Sequence, residues 1–194
     1  MVRRLLVLAA VAVVAAAAAL ASPASAAKPA GGSFTTTLTV APTTVAVDGY
    51  RVTVSGSLTA TVTQFKVDSN GHLVAVATVS GTLTATEPTL GTASITITKV
   101  GVVLNAQVQA DCSGHLQIDF HGVLQIDATV VFTATDGTVT SLDVHKTVPL
   151  QGSLRYTAIT QQQKSLICDI ATLLQNPSSV NALVDKLNTL LKTV

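Results

Sequence analysis

From Phe34 onward the chain alternates between an apolar residue and a Thr or Ser over long runs. Period two predicts half-buried strands, because alternate side chains of a strand face core and water. The clearest unit spans Tyr50 to Glu87. Val52, Val54, Leu58, Ala60 and Val62 hold the even positions of its first arm. Leu73, Ala75, Ala77, Val79, Leu83 and Ala85 hold the odd positions of its second. Asn70-Gly71 lies between the arms and predicts a two-residue type I′ hairpin turn. That turn pairs Leu58 with Leu83 and Val62 with Val79, so both apolar sets share one face. The two arms also repeat each other. Val54-Ser55-Gly56-Ser57-Leu58-Thr59-Ala60-Thr61 returns as Val79-Ser80-Gly81-Thr82-Leu83-Thr84-Ala85-Thr86. A repeated binding strand is one reading. The favoured one is that Gly56 and Gly81 let both strands bend.

A second hairpin is expected from Ala93, Ile95 and Ile97, broken at Gly101 and resumed by Val102, Leu104, Ala106 and Val108. The longest alternation runs from Leu116 to Phe132, with Gly122 as a kink, a bulge or a break between two strands. Asp136-Gly137 then turns the chain. A three-residue loop Thr135-Asp136-Gly137 pairs Val130 with Leu142 and Ala128 with Val144, and keeps one face apolar. The strand through Val148 and Leu154 completes the β region. Strands of 15 residues or more exceed the usual length of about 5–6 and must twist and curl.

After Thr160 the period lengthens. Leu166, Ile167, Ile170, Leu173 and Leu174 recur at helical spacing until Pro177. Ser178 or Ser179 can cap a second helix with the stripe Val180, Leu183, Val184, Leu187, Leu190 and Leu191. Both stripes need an apolar partner, and the open face of the sheet supplies one. The expected fold is therefore mainly β: an antiparallel curved sheet, sandwich or partial barrel, with two C-terminal α-helices packed on it.

The first residues follow a different grammar. Arg3 and Arg4 precede an apolar run of 16 residues, Leu5 to Leu20, and Ala24-Ser25-Ala26 follows Pro23. Basic head, apolar middle and small residues before a cut describe a secretory signal peptide. The run is shorter than the roughly 20 residues that span a bilayer. The organisation expected is 1–26 signal peptide, 27–33 flexible leader, 34–159 antiparallel β region and 160–194 C-terminal helical segment of the same domain. Removing residues 1–26 leaves nine Lys and Arg against ten Asp and Glu, one net negative charge. With its basic residues spread singly, the mature chain lacks an electrostatic footprint for nucleic acid or anionic lipid. Cleavage also implies no stable membrane insertion, and a secreted or cell-envelope location.

Export sets the reading of Cys112 and Cys168. An even count without C-x-x-C, in an oxidising compartment, fits one disulfide. One tension attends it. On a regular helix Cys168 points away from the stripe around Ile170, so a bridge to Cys112 encloses the first helix on more than one side.

Candidate chemistry is sparse. Asp119, His121 and Asp127 share the polar parity of one strand and are the best candidates for a divalent metal, although a solvated sheet face explains them better. His72, His115 and His145 fall beside turns or strand ends. G-x-S-x-G, H-E-x-x-H, the P-loop and G-x-G-x-x-G are absent. There is no Trp, and only four Phe and two Tyr, so stacking platforms for carbohydrate or single-stranded nucleic acid are not expected. No catalytic residue, metal ligand or cofactor is assigned; Cys112 and Cys168 are the only site residues, as a disulfide.

Asp111-Cys112, the alternating strand after it and Leu166-Ile167-Cys168-Asp169-Ile170-Ala171-Thr172-Leu173-Leu174 resemble a group of uncharacterised small exported proteins of high-GC actinobacteria. The resemblance covers about residues 111–175. Gln161-Gln162-Gln163-Lys164 stands where that group has a Gly-Leu-rich segment. The resemblance implies a paired Cys112 and Cys168 and no function. The leading expectation is a non-enzymatic structural or interaction module with an envelope or extracellular partner. The alternative is a carrier of an apolar small molecule in a curved β-sheet cavity, with the helices as a lid. A metal-assisted hydrolase using Asp119, His121 and Asp127 is the weakest.

Overall fold

The computed structural model describes residues 32–134 and 136–194. The expected signal peptide, and all but the last two residues of the expected leader, lie outside the described residues. Six strands follow: β1 (Phe34–Val47), β2 (Tyr50–Val67), β3 (Leu73–Glu87), β4 (Gly91–Ala110), β5 (His115–Thr133) and β6 (Val139–Thr157). Each pairs antiparallel with the next, and β1 meets β6 to close a barrel. Helices α1 (Gln161–Leu173) and α2 (Val180–Leu191) complete the chain, separated by a short 3-10 turn, Pro177–Ser179. The mainly antiparallel β fold with two C-terminal helices is as the periodicity predicts.

Alternation does the sorting. Inward residues such as Leu38, Val54, Leu83, Ile118, Ile126 and Leu142 form one buried cluster with Phe65, Phe120 and Phe132. Closing six long strands around that cluster requires sharp bends, and glycines supply them. Gly56 lies opposite Leu83, and Gly81 opposite Leu58. A Cβ on Gly56 would sit 3.2 Å from the Leu83 side chain, and one on Gly81 3.1 Å from that of Leu58. The repeat seen in the sequence is thus reciprocal. Each copy contributes the glycine over which the other copy's leucine folds.

The first hairpin differs from expectation. Leu58 faces Gly81 and Ala60 faces Val79, a slide of two residues from the predicted register. The slide is even, so both apolar sets still point inward. The turn causes one residue of the slide, and a bulge in β2 between Val62 and Gln64 the other. The strands end at Val67 and Leu73, leaving Asp68 to His72 as a five-residue loop. Asn70 does not take the positive φ that a type I′ turn needs, whereas Gly71 does, at 83°. Among the described residues, the pair with φ > 0 at both positions is Asp48-Gly49, at 49° and 86°, which joins β1 to β2.

The expected hairpin around Gly101 is also overturned. Gly91–Ala110 is a single strand, and Gly101, at φ 73°, sits in a bulge where the register with β3 shifts between Ala77 and Val79. Gly122, in contrast, leaves the β6 pairing unbroken from His115–Thr157 to Thr133–Val139, although pairing with β4 ends just before it, at Asn105–His121. Val130 faces Leu142 and Ala128 faces Val144, as predicted.

The helices cover one end of the barrel rather than a broad sheet face. Thr160 caps α1 and exchanges hydrogen bonds with Gln163 in a capping box. Ser179 takes the N-cap position of α2 without a side-chain hydrogen bond to that helix, its hydroxyl instead donating backward to the Leu173 carbonyl, while Asn176 caps the 3-10 turn by accepting from the Ser178 N–H. Ile167, Ile170, Leu183, Leu187, Leu190 and Leu191 join the core cluster. Beyond Phe34, β2 has no β1 partner, and Asn188 of α2 takes that place. Its amide accepts from the Phe65 N–H at 2.8 Å and donates to the Phe65 carbonyl at 2.9 Å. Cys112, in the β4–β5 turn, is disulfide-bonded to Cys168 of α1. The barrel core lies on one side of α1, α2 on another and the tethered turn on a third, which resolves the orientation problem at Cys168.

Candidate functional site

The outer surface divides into two kinds of sheet. On β1 to β4 the registers bring hydroxyls into rows that cross the strands. Thr37, Thr59, Ser80 and Thr98 form one row; Thr39, Ser57, Thr82 and Thr96 the next; Thr44, Thr53, Thr86 and Thr92 a further one. Thr35-Thr61-Thr78 and Ser55-Thr84-Ser94 extend the array. Neighbouring strands lie about 4.8 Å apart and alternate residues about 6.7 Å apart, so the hydroxyls form a two-dimensional lattice. None of these rows holds a charged residue, and none of these side chains is buried. Thr44 and Thr53 touch through their hydroxyls at 2.9 Å.

On β4 to β6 the same construction carries amides and charges. Its rows are Asn105-His121-Gln151, Gln107-Asp119-Ser153 and Gln109-Gln117-Arg155. Two open grooves border this face. One, of about 550 Å³, includes Asp111, His115, Gln117 and Arg155 in its lining; the other, of about 560 Å³, includes His72, Asn105, Gln107 and His121.

The candidate trio on β5, for which a solvated sheet face is the favoured reading, is not brought together. Asp119 accepts from the Gln117 amide at 3.1 Å. Asp127 lies opposite His145 and holds its Nδ1 at 3.0 Å, lowering the Asp127 carboxyl below its usual range. His121 stands between Asn105 and Gln151, and six strand residues, or about 20 Å, separate it from Asp127. Among the described residues, no three His, Cys, Asp or Glu side chains converge as metal ligands.

A cluster that sequence reasoning missed lies in the β4–β5 turn. The Ser113 hydroxyl and His115 Nδ1 are 2.7 Å apart, and both approach the Asp111 carboxylate. The residue types are those of a nucleophilic triad, but the geometry is not. A relay needs His to bridge with its two different nitrogens. Here Nδ1 serves both neighbours, and Ser113 donates directly to Asp111. The Ser113 hydroxyl first, and then the His115 N–H, hold the Asp111 carboxyl far below the usual range.

Its twin explains it. In the β2–β3 turn, Asp68 accepts from the Asn70 and His72 N–H groups, both at 2.8 Å, and lies 3.4 Å from His72 Nδ1. In the β4–β5 turn, Asp111 accepts from the Ser113 and His115 N–H groups in the same way. Each Asp N–H donates to the His carbonyl, and each Gly N–H to the Asp carbonyl. Both turns read Asp-x-x-Gly-His, a pattern visible in the sequence once the two are set side by side.

No protein-family model matches this chain, and it matches no curated protein and no solved structure. Among the described residues, no helix is long and apolar enough to cross a membrane.

Proposed function

We propose that this chain is an exported, non-enzymatic interaction module that meets an envelope or extracellular partner through the hydroxyl lattice of β1 to β4. The observation that carries the reading is the sorting of side chains. The inward side chains pack into one apolar cluster, with Glu87 and Gln163 as buried polar exceptions, and a regular outward feature is an uncharged array of Thr and Ser. The Cys112–Cys168 bridge suits an oxidising compartment, and the signal grammar of residues 1–26 supplies the route. A neutral face recognises by hydrogen bonding and shape, so its binding does not depend on charge screening.

Native mass spectrometry of the protein, purified without reductant from its exporting host, tests the class. A bare oxidised chain beginning at Ala27 is expected. An apolar compound released on denaturation would replace the module with a carrier. Retention on the host's envelope fraction tests the face. Retention should persist in high salt and fall in a Thr59→Lys, Thr82→Lys variant; equal retention of the variant removes the lattice from the proposal.

A further inference from the structure

We infer that the protein pairs with a second copy of itself along the free edge of β5. Among the described residues, the four longest stretches of strand without a neighbouring strand on one side are 41–47 of β1, 91–104 of β4, 122–133 of β5 and 139–149 of β6. An unpaired edge invites another strand unless proline, charge or a bulge spoils it. Three of the four are spoiled. The β1 edge holds Pro42 inside a register shift. The β4 edge holds the bulge with Lys99 and Gly101. The β6 edge carries Asp143, His145, Lys146 and Pro149.

The β5 edge is the least guarded, with Asp127, which feels the charge of Lys99 on β4, as its one charged residue. From Gly122 to Thr133 it has no Pro, Lys or Arg, and its pairing with β6 is without a bulge. Its outward face exposes Val123 at 62% and Val131 at 53%.

The stretch is also complementary to itself. Antiparallel pairing about a two-fold axis opposes residues that face the same side, so the numbers of an opposed pair must sum to an even value. Centring on Asp127 would set two carboxylates against each other. Centring on Ala128 removes that conflict. Val123 then faces Thr133, Gln125 faces Val131 and Asp127 faces Thr129 on the outside. Leu124 faces Phe132 and Ile126 faces Val130 on the inside. The β6-β5 pair of one copy becomes continuous with that of the other, recognised mainly through backbone hydrogen bonds. The proposal is independent of the hydroxyl lattice, which lies on other strands.

Sedimentation of the oxidised protein from micromolar to millimolar concentration tests it, with two charge variants. A dimer is expected for the native chain. Gln125→Lys with Val131→Lys opposes lysine to lysine twice and should weaken the dimer about tenfold or more. Gln125→Lys with Val131→Glu opposes lysine to glutamate and should keep or strengthen it. Both altered positions are solvent-facing, and unchanged circular dichroism verifies the fold. A native chain that stays monomeric throughout overturns the proposal, as does equal behaviour of the two variants.

Discussion

The Asp68–His72 and Asp111–His115 turns share one hydrogen-bond plan but differ in what holds them. The second is fastened to α1 by Cys112–Cys168, and Gly114 packs against Ala158 and Lys164. The first has no covalent tether and only borders α2, sharing a groove with Val180. Because the plan survives with Asn70 in one turn and Ser113 in the other, the Ser-His-Asp cluster belongs to turn chemistry. An Asp at the first position satisfies the backbone of a five-residue loop, and the histidine that closes the loop is carried to the carboxylate with it. Chemically suggestive residues can meet for purely conformational reasons.

Removing the tether should give the largest effect. Cys112→Ser with Cys168→Ser is expected to cost about 2–4 kcal/mol, a fall of roughly 5–15 °C in melting temperature. Hydrogen exchange should loosen around Asp111–His115 and leave Asp68–His72 as it was. Equal loosening of both turns would break the distinction.

The glycines come next. Gly71 and Gly114 both have positive φ, so alanine costs about 1 kcal/mol at either. A Cβ at Gly71 meets nothing within 4 Å, whereas at Gly114 it approaches Ala158 at 3.3 Å and Lys164 at 3.4 Å. Gly114→Ala should therefore cost about 2 kcal/mol in denaturant unfolding, and Gly71→Ala about half that.

Acid should act on both turns in the same sense. The His72 N–H lowers the Asp68 carboxyl, and the Ser113 hydroxyl lowers that of Asp111. Each folded carboxyl lies below its unfolded value of 3.8, so its contribution is complete above that pH and is lost as pH falls through the folded value. Asp68→Asn and Asp111→Asn should each lower stability at neutral pH and flatten the loss between about pH 5 and about pH 2. The smallest effect sharpens the comparison most. Ser113→Asn, which makes the second turn resemble the first, should change stability by less than about 0.5 kcal/mol. A large loss would give Ser113 a role that Asn70 lacks.

How much of this was legible depended on how local its cause is. The β5–β6 register could be read, because parity and Asp136-Gly137 agree and nothing distant intervenes. The β2–β3 register could not be placed from Asn70-Gly71, because Asp68 recruits the turn into a longer loop and β2 bulges between Val62 and Gln64. Gly101 suggested a break because a bulge and a turn place the same demand on φ. The helices and their apolar stripes were readable, but their docking was not. It rests on Asn188 imitating a strand at Phe65, with no trace in periodicity. The Thr and Ser positions were plain along each strand. Their rows across strands exist only once four registers are fixed.

Closure of the barrel rests on Leu38, Val40 and the residue between them, opposite Leu150 to Gly152 and more than a hundred positions away. Gly152 admits this approach; a Cβ there would lie 2.4 Å from the Thr37 carbonyl. A chain made from its N-terminus therefore carries an open strand edge through nearly all of its synthesis. It can shut the barrel only when the last strand emerges, which makes completion, rather than initiation, the vulnerable moment in its biogenesis.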